Sequence, residues 1–267
     1  MIGLFLGDTD FSEIVLKKII KLQKKYFIID FSKNNKFKKN KNSNRISIGK
    51  FGKIINLIKE KKSSRVLFAG KIAKPKFSSL RLDFKGIYYM PSVIKAAKLG
   101  DAAIIKAIIK ILEKEKIKVI SSNFFNPELS LSAKNYTKLK PTVKDIKSIN
   151  KGVNYFNKLN SLDHVQALIL KDNKVIATEG SQGTKKMLLK LKKVSEGILI
   201  KLPKKKQDLR MDLPTIGLNT LKDCKKLGLK GIVLKSKKNI FLDKDKCIKF
   251  ANKNKIFIKI IWRKFLF

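Results

Sequence analysis

Residues 1–30 read MIGLFLGDTDFSEIVLKKIIKLQKKYFIID, and this stretch decides the fold. Ile2 to Leu6 is a short apolar run of the kind that forms a strand buried on both faces. Phe11 to Lys25 has helical period, with Ile14, Val15, Ile19 and Leu22 on one stripe. Tyr26 to Ile29 is apolar again. Strand, helix, strand in so short a span calls for a parallel pair joined by a crossover helix.

The rhythm continues outward. A polar loop (Ser32 to Asn44) precedes a helix from Phe51 to Lys61 and a strand from Arg65 to Ala69 that ends at the turn Gly70. Helices are predicted over Met90 to Lys98 and Asp101 to Lys116, with Asp101 as N-cap, and a strand over Ile117 to Ser121. Asn, Ser and Pro cluster between Ser122 and Lys140, which reads as a linker. Beyond it come a helix (Thr142 to Leu159) and a hairpin (His164 to Leu170 and Val175 to Glu179) turning at Lys171 to Lys174. A glycine-bearing loop (Gly180 to Gly183) opens a helix through Leu191. A strand (Gly197 to Leu202) leads into an irregular stretch from Pro203 to Gly217. The remainder alternates a helix (Leu218 to Leu227), strands at Gly231 to Leu234 and Ile240 to Leu242, a helix, and a last strand near Ile256 to Ile260. The fold class is α/β in two domains. Residues 1–130 form a Rossmann-like parallel sheet and residues 131–267 a mixed α/β domain.

Composition narrows the function. The chain has 267 residues and a formal charge of +43, yet only five of its 63 basic residues are arginine. Nucleic-acid recognition draws on the planar arginine fork, and here lysine is spread over the whole chain. No specific nucleic-acid partner is expected, and the charge is a general bias toward anionic partners. The single histidine, His164, excludes multi-histidine metal sites and the calcineurin-like two-metal phosphoesterases. Cys224 and Cys247 fit a reducing compartment. The start lacks a basic leader, and lysines and Asp101 interrupt the apolar region from Pro91 to Leu112. A cytoplasmic protein is expected, at most peripheral to the inner face of a membrane.

Four loops fall where parallel sheets bind ligands, beyond the carboxyl ends of strands. Gly7-Asp8-Thr9-Asp10 resembles a dinucleotide turn, and Asp30 ends the second strand where a ribose-binding acid would sit. The glycine fingerprint of nicotinamide sites is absent. Phe68-Ala69-Gly70-Lys71 lets backbone approach a ligand. Glu179 to Thr184 places glycines and hydroxyls at a helix N-terminus, where a phosphate can be cradled. The fourth, Lys201 to Gly217, combines lysines and Arg210 with Asp208 and Asp212 in a long irregular stretch. Basic groups for a diphosphate beside an acid that can hold a metal or orient water make a phosphoryl-transfer constellation.

The segment QDLRMDLPTIGLNT, from Gln207 to Thr220, resembles the two-domain UDP-2,3-diacylglucosamine pyrophosphatases of lipid A synthesis, the class unrelated to the calcineurin-like enzymes. The GLFLG start, Gly49 to Lys53, Phe68-Ala69-Gly70 with Lys74-Pro75, Met90-Pro91-Ser92, Gly100-Asp101, Leu162-Asp163 with Gln166, and Glu179 to Thr184 follow the same order. The resemblance implies hydrolysis of the substrate to UMP and 2,3-diacylglucosamine 1-phosphate, in a cleft between the two domains. It also implies a divalent cation, Mg²⁺ or Mn²⁺. Asp212 matches the catalytic aspartate, with metal coordination by Asp212 and Glu179. The substrate-binding set it implies is Asp10, Gly70, Lys71, Gln166, Glu179, Thr184, Lys201, Gln207 and Arg210. The chain departs from the family pattern at Ala102, at Asn123-Phe124 and at Lys185, where a second acid after Gly-Asp, a His-Glu pair and the loop aspartate are usual. Further expected partners are an anionic membrane, met by the aromatic and basic tail Phe257 to Phe267, and a second copy in a homodimer. The rival reading is a nucleotide-sugar-binding or NAD-type module built on the Gly7 turn, without hydrolase activity.

Overall fold

The computed structural model describes residues 1–159, 165–180, 182–204 and 208–262. The chain divides into two compact units, Met1–Pro127 and Glu128–Phe267.

The first unit contains β1 (Ile2–Leu6), α1 (Asp10–Lys21), β2 (Tyr26–Asp30), β3 (Ser43–Asn44), α2 (Phe51–Glu60), β4 (Arg65–Ala69), α3 (Phe84–Lys98), α4 (Asp101–Lys114) and β5 (Lys118–Val119). All five strands are parallel, in the order β3-β2-β1-β4-β5. This is the doubly wound arrangement expected from residues 1–30. Leu4 pairs with Ile28 on one side and Leu67 on the other, and all three are fully buried. Phe27 is also enclosed, and cutting such a side chain to alanine costs about 3–5 kcal/mol.

Three details differ from expectation. α1 ends at Lys21, because Gln23 takes a left-handed backbone that stops the helix. α3 begins at Phe84, well before Met90, so Pro91 lies inside it. Its start is fixed by Asp83, whose carboxylate accepts from Gly86 N–H at 2.8 Å and from the N–H groups of Gly52 (3.1 Å) and Lys53 (3.0 Å) in α2. One side chain thus caps two helices. Gly100, with φ of 108°, caps α4, and Asp101 is the first residue inside the helix.

The second unit contains α5 (Val143–Lys158), β6 (Ala167–Lys171), β7 (Lys174–Thr178), α6 (Thr184–Lys190), β8 (Ile198–Lys201), β9 (Thr215–Ile216), α7 (Leu218–Lys226), β10 (Gly231–Lys235), β11 (Ile240–Phe241), α8 (Lys244–Lys253) and β12 (Phe257–Ile261). The sheet order is β12-β10-β8-β6-β7, with β6 antiparallel to both neighbours and the others parallel. This is the mixed α/β domain expected. A reciprocal capping box between Thr142 and Asp145 starts α5.

The expected linker is corrected in its second part. From Leu131 onward the chain belongs to the second unit: Leu131 is buried against Asn239, whose Oδ1 accepts from its N–H at 3.0 Å. Residues 134–136 run beside β12, with Tyr136 N–H donating to the Ile258 carbonyl at 2.9 Å. A polar composition hid a segment whose backbone is paired. His164, Leu162 and Asp163 lie outside the described residues, as do residues 263–267 of the tail; Trp262 is exposed. Among the described residues, no helix is long and apolar enough to cross a membrane.

Candidate active site

Antiparallel β6 is what assembles the site. Its first residue, Ala167, pairs with Lys201 at the carboxyl end of β8, and Glu179 N–H, just past β7, donates to the Ala167 carbonyl at 2.8 Å. Leu202 N–H donates to the Gln166 carbonyl at 3.0 Å. Gln166, Glu179 and Lys201 therefore share one edge of the sheet although they are far apart in sequence. α6 adds Thr184 from its first turn, and the connection from β8 to β9 adds Asp212.

Glu179 is 7% exposed. Burial raises its pKa above the ordinary carboxylate value, against the pull of Lys201, the Thr184 hydroxyl, Lys204 and the Gln166 backbone N–H. Its Oε2 is enclosed and has no hydrogen-bond partner. Lys201 is equally enclosed, and burial lowers its pKa against the attraction of Glu179 and Asp212. Its ammonium donates to the Thr215 carbonyl at 3.1 Å. Burying a charge is costly unless another charge compensates it, and these two groups act on each other as opposite charges. Cys224 lies nearby, fully buried, and burial pushes its thiol up to about 12.

Asp212 is half-buried, and its N–H donates to the Asp208 carbonyl at 3.1 Å, closing a turn. Arg210 is held by Asp208: Nε meets Oδ1 at 3.0 Å and a terminal nitrogen meets Oδ2 at 2.8 Å, a two-pronged ion pair. The sequence shows Asp208 beside Arg210 but not that the one clamps the other. The only available signal was an acid two residues before an arginine in a turn. Gln207 lies outside the described residues.

Asp10, Gly70 and Lys71 are in the first unit, at the carboxyl edge of its sheet. Asp10 is the exposed first residue of α1, and Lys71 is exposed. The glycines here answer to packing. A Cβ on Gly7 would lie 2.3 Å from the Lys71 carbonyl oxygen, and one on Gly70, whose φ is 82°, would lie 2.1 Å from Ser12 Oγ. The ribose-acid reading of Asp30 is overturned. Asp30 is fully buried, and its carboxylate accepts from Ser32 N–H (2.8 Å), Ser32 Oγ (2.6 Å) and Phe37 N–H (3.1 Å), with Arg45 beside it. The residue ties down the loop after β2 and has no face for a ligand. The three departures from the family pattern lie in different segments. Ala102 is buried in α4, Phe124 is exposed and stacked edge-on against Phe125, and Lys185 is exposed at the start of α6.

Residues 1–129 match the LpxI N-terminal domain and residues 132–259 match the LpxI C-terminal domain. The chain belongs to the LpxI family. A relative from Caulobacter vibrioides, named UDP-2,3-diacylglucosamine pyrophosphatase LpxI, is 30% identical over 223 residues, covering 80% of each chain. The residues assembled around Glu179 and Lys201 all lie within the part matched by the LpxI C-terminal domain.

A divalent cation can be tested against these residues. Among those described, no group of three or more His, Cys, Asp or Glu is placed to hold a metal. Mg²⁺ commonly takes one or two carboxylates and completes its shell with phosphate and water oxygens. Asp212 and the unpartnered Oε2 of Glu179 are hard oxygen donors of that kind. Lys201 already offsets one of their two charges, so they fit a cation that arrives with, and is largely ligated by, a diphosphate.

Proposed function

We propose that the chain hydrolyses the pyrophosphate of UDP-2,3-diacylglucosamine, giving UMP and 2,3-diacylglucosamine 1-phosphate (lipid X) for lipid A synthesis. The observation that carries this reading is membership of the LpxI family over nearly the whole chain, together with the named activity of the Caulobacter relative. The rival nucleotide-binding module loses its acid, since Asp30 is consumed inside the fold.

In the reaction water attacks one phosphorus, the bridging P–O bond breaks, and each product keeps one phosphate. Asp212, on a closed turn at the sheet edge, orients the water and accepts its proton. Lys201 acts as a fixed positive charge facing Asp212 and Glu179. Arg210, Thr184 and Gln207 bind phosphate oxygens, with Gln166 and Glu179 beside them; Asp10, Gly70 and Lys71 of the first unit contribute to substrate binding. Mg²⁺ or Mn²⁺, held by Asp212 and Glu179 together with the diphosphate, would offset charge on the phosphate oxygens.

The test is UMP release from UDP-2,3-diacylglucosamine with Mg²⁺, with EDTA and with Asp212→Ala. Release that needs both metal and Asp212 is expected, with Asp212→Ala lowering the rate by about two to four orders of magnitude while substrate still binds. Undiminished turnover in that variant would remove Asp212 from the chemistry. No release from the folded wild-type chain would overturn the activity.

A further inference from the structure

α3 is buried along one side only. Gly86, Tyr89, Met90, Val93 and Ala96 face the interior. The other side carries Phe84, Ile87, Tyr88, Pro91 and Ile94 at helical spacing, where a solvated face would carry polar groups. Phe84 is 92% exposed, Tyr88 73% and Ile87 61%. Lys95 and Lys98 continue the same face along the last turn. α3 contains no acidic residue, and residues 71–98 hold seven basic residues and a single acid, Asp83. Both Asp83 oxygens are taken by backbone N–H groups.

We propose that this face of α3 docks the first unit on an anionic lipid bilayer. Two large aromatics and an isoleucine offer the wedge that an interfacial helix buries at the headgroup boundary, and lysines on the same face meet lipid phosphates. Charge selects this occupant over a second copy of the chain. A symmetric contact would bring the same basic face, with no acidic residue of α3 to answer Lys95 and Lys98, onto its own copy in a molecule of net charge +43. The face carries none of the residues assigned to hydrolysis, and its role holds whatever the chain hydrolyses.

Vesicle flotation tests it without any turnover. The full chain is floated with phosphatidylcholine vesicles lacking or containing phosphatidylglycerol, at low and high salt. It is compared with Phe84→Ser/Ile87→Ser/Tyr88→Ser, which leaves net charge unchanged, and with Lys95→Glu/Lys98→Glu. All three substituted apolar residues are exposed, and thermal melting checks that the fold is kept. The expected result is binding to phosphatidylglycerol vesicles that falls by about tenfold or more in the apolar variant. In the charge variant, binding to phosphatidylglycerol vesicles falls severalfold below wild type. Equal flotation of the wild type and the apolar variant would show that diffuse charge suffices and overturn the proposal. So would an apolar variant that dissociates a dimer in sedimentation while floating like the wild type, since the face would then be an interface between copies.

Discussion

The ammonium of Lys201 donates to the carbonyl oxygen of Thr215 at 3.1 Å, tying the end of β8 to the start of β9. The loop that carries Asp208, Arg210 and Asp212 is therefore closed at its base by a lysine that also faces Glu179 and Asp212.

Lys201→Met should separate the electrostatic part of that arrangement from the chemistry. Without the ammonium, Glu179 is left buried and uncompensated, at a cost of about 3–5 kcal/mol if it stays ionised. The folded protein escapes that cost by taking up a proton, the more readily because burial already raises the Glu179 pKa. Calorimetry should show a Tm well below wild type at pH 8 that recovers toward it near pH 5. UMP release should be lower by about a hundredfold or more, as for loss of one fixed charge at a reacting group. Equal destabilisation at both pH values would mean that Glu179 is not the partner that matters.

Asp30→Ala should harm the fold and spare turnover. It strands the N–H groups of Ser32 and Phe37 in the interior, each worth about 1–3 kcal/mol. A lowered urea midpoint with unchanged kcat is expected. A fall in kcat at constant stability would return Asp30 to a ligand role.

Gly70→Ala combines a left-handed backbone, with φ of 82°, and a Cβ 2.1 Å from Ser12 Oγ. That hydroxyl bonds the carbonyls of Gly7 at 2.9 Å and Ala69 at 2.8 Å, so moving it loosens the turn after β1. A loss of about 2–3 kcal/mol in urea unfolding is expected. Measured in a Ser12→Ala background, which already lacks the hydroxyl, the cost of Gly70→Ala should be recovered in part, because the clash is gone but the backbone strain is not. No recovery would place the whole cost in the backbone.

Glu115 gives the first unit a pH dependence. Burial alone would raise its carboxyl, but hydrogen bonds from Lys85, Tyr89 and Lys59 outweigh it and hold the pKa at about 2. The folded value lies below the ordinary 4.5, so this stabilisation is complete above about pH 4.5 and is lost as the pH falls toward 2. Glu115→Gln should cost about 1–2 kcal/mol at pH 7, discounted for solvent around the lysines, and almost nothing at pH 2. Denaturant titration of both proteins at the two pH values checks the difference.

The first thirty residues were enough for the doubly wound sheet, because β1 and β2 are buried on both faces and α1 has a clean helical period. The start of α3 was not legible. Pro91 reads as a helix beginning, while the real cap, Asp83, also serves α2, a relation between segments that no local pattern carries. The loops around Glu179 and Asp212 were each visible as unusual stretches. Their meeting was not, since it depends on β6 running antiparallel and placing Gln166 beside Lys201. Asp30 failed the other way: its position at a strand end suggested a ligand, and only the surrounding N–H groups show that its oxygens are already used. β9, two residues long, is too short to leave a periodic trace.

The ion pair between Asp208 and Arg210 gives the loop a resident substitute for phosphate. The carboxylate fills the guanidinium fork as two phosphate oxygens would. If Arg210 takes the diphosphate as proposed, the incoming anion evicts Asp208, so binding there is an exchange of one anion for another. Such an exchange tempers affinity and favours turnover, because when a product phosphomonoester departs, Asp208 is tethered two residues away and reclaims the arginine. Free inorganic phosphate, with no uridine or lipid to hold it, competes against an anion that never diffuses off.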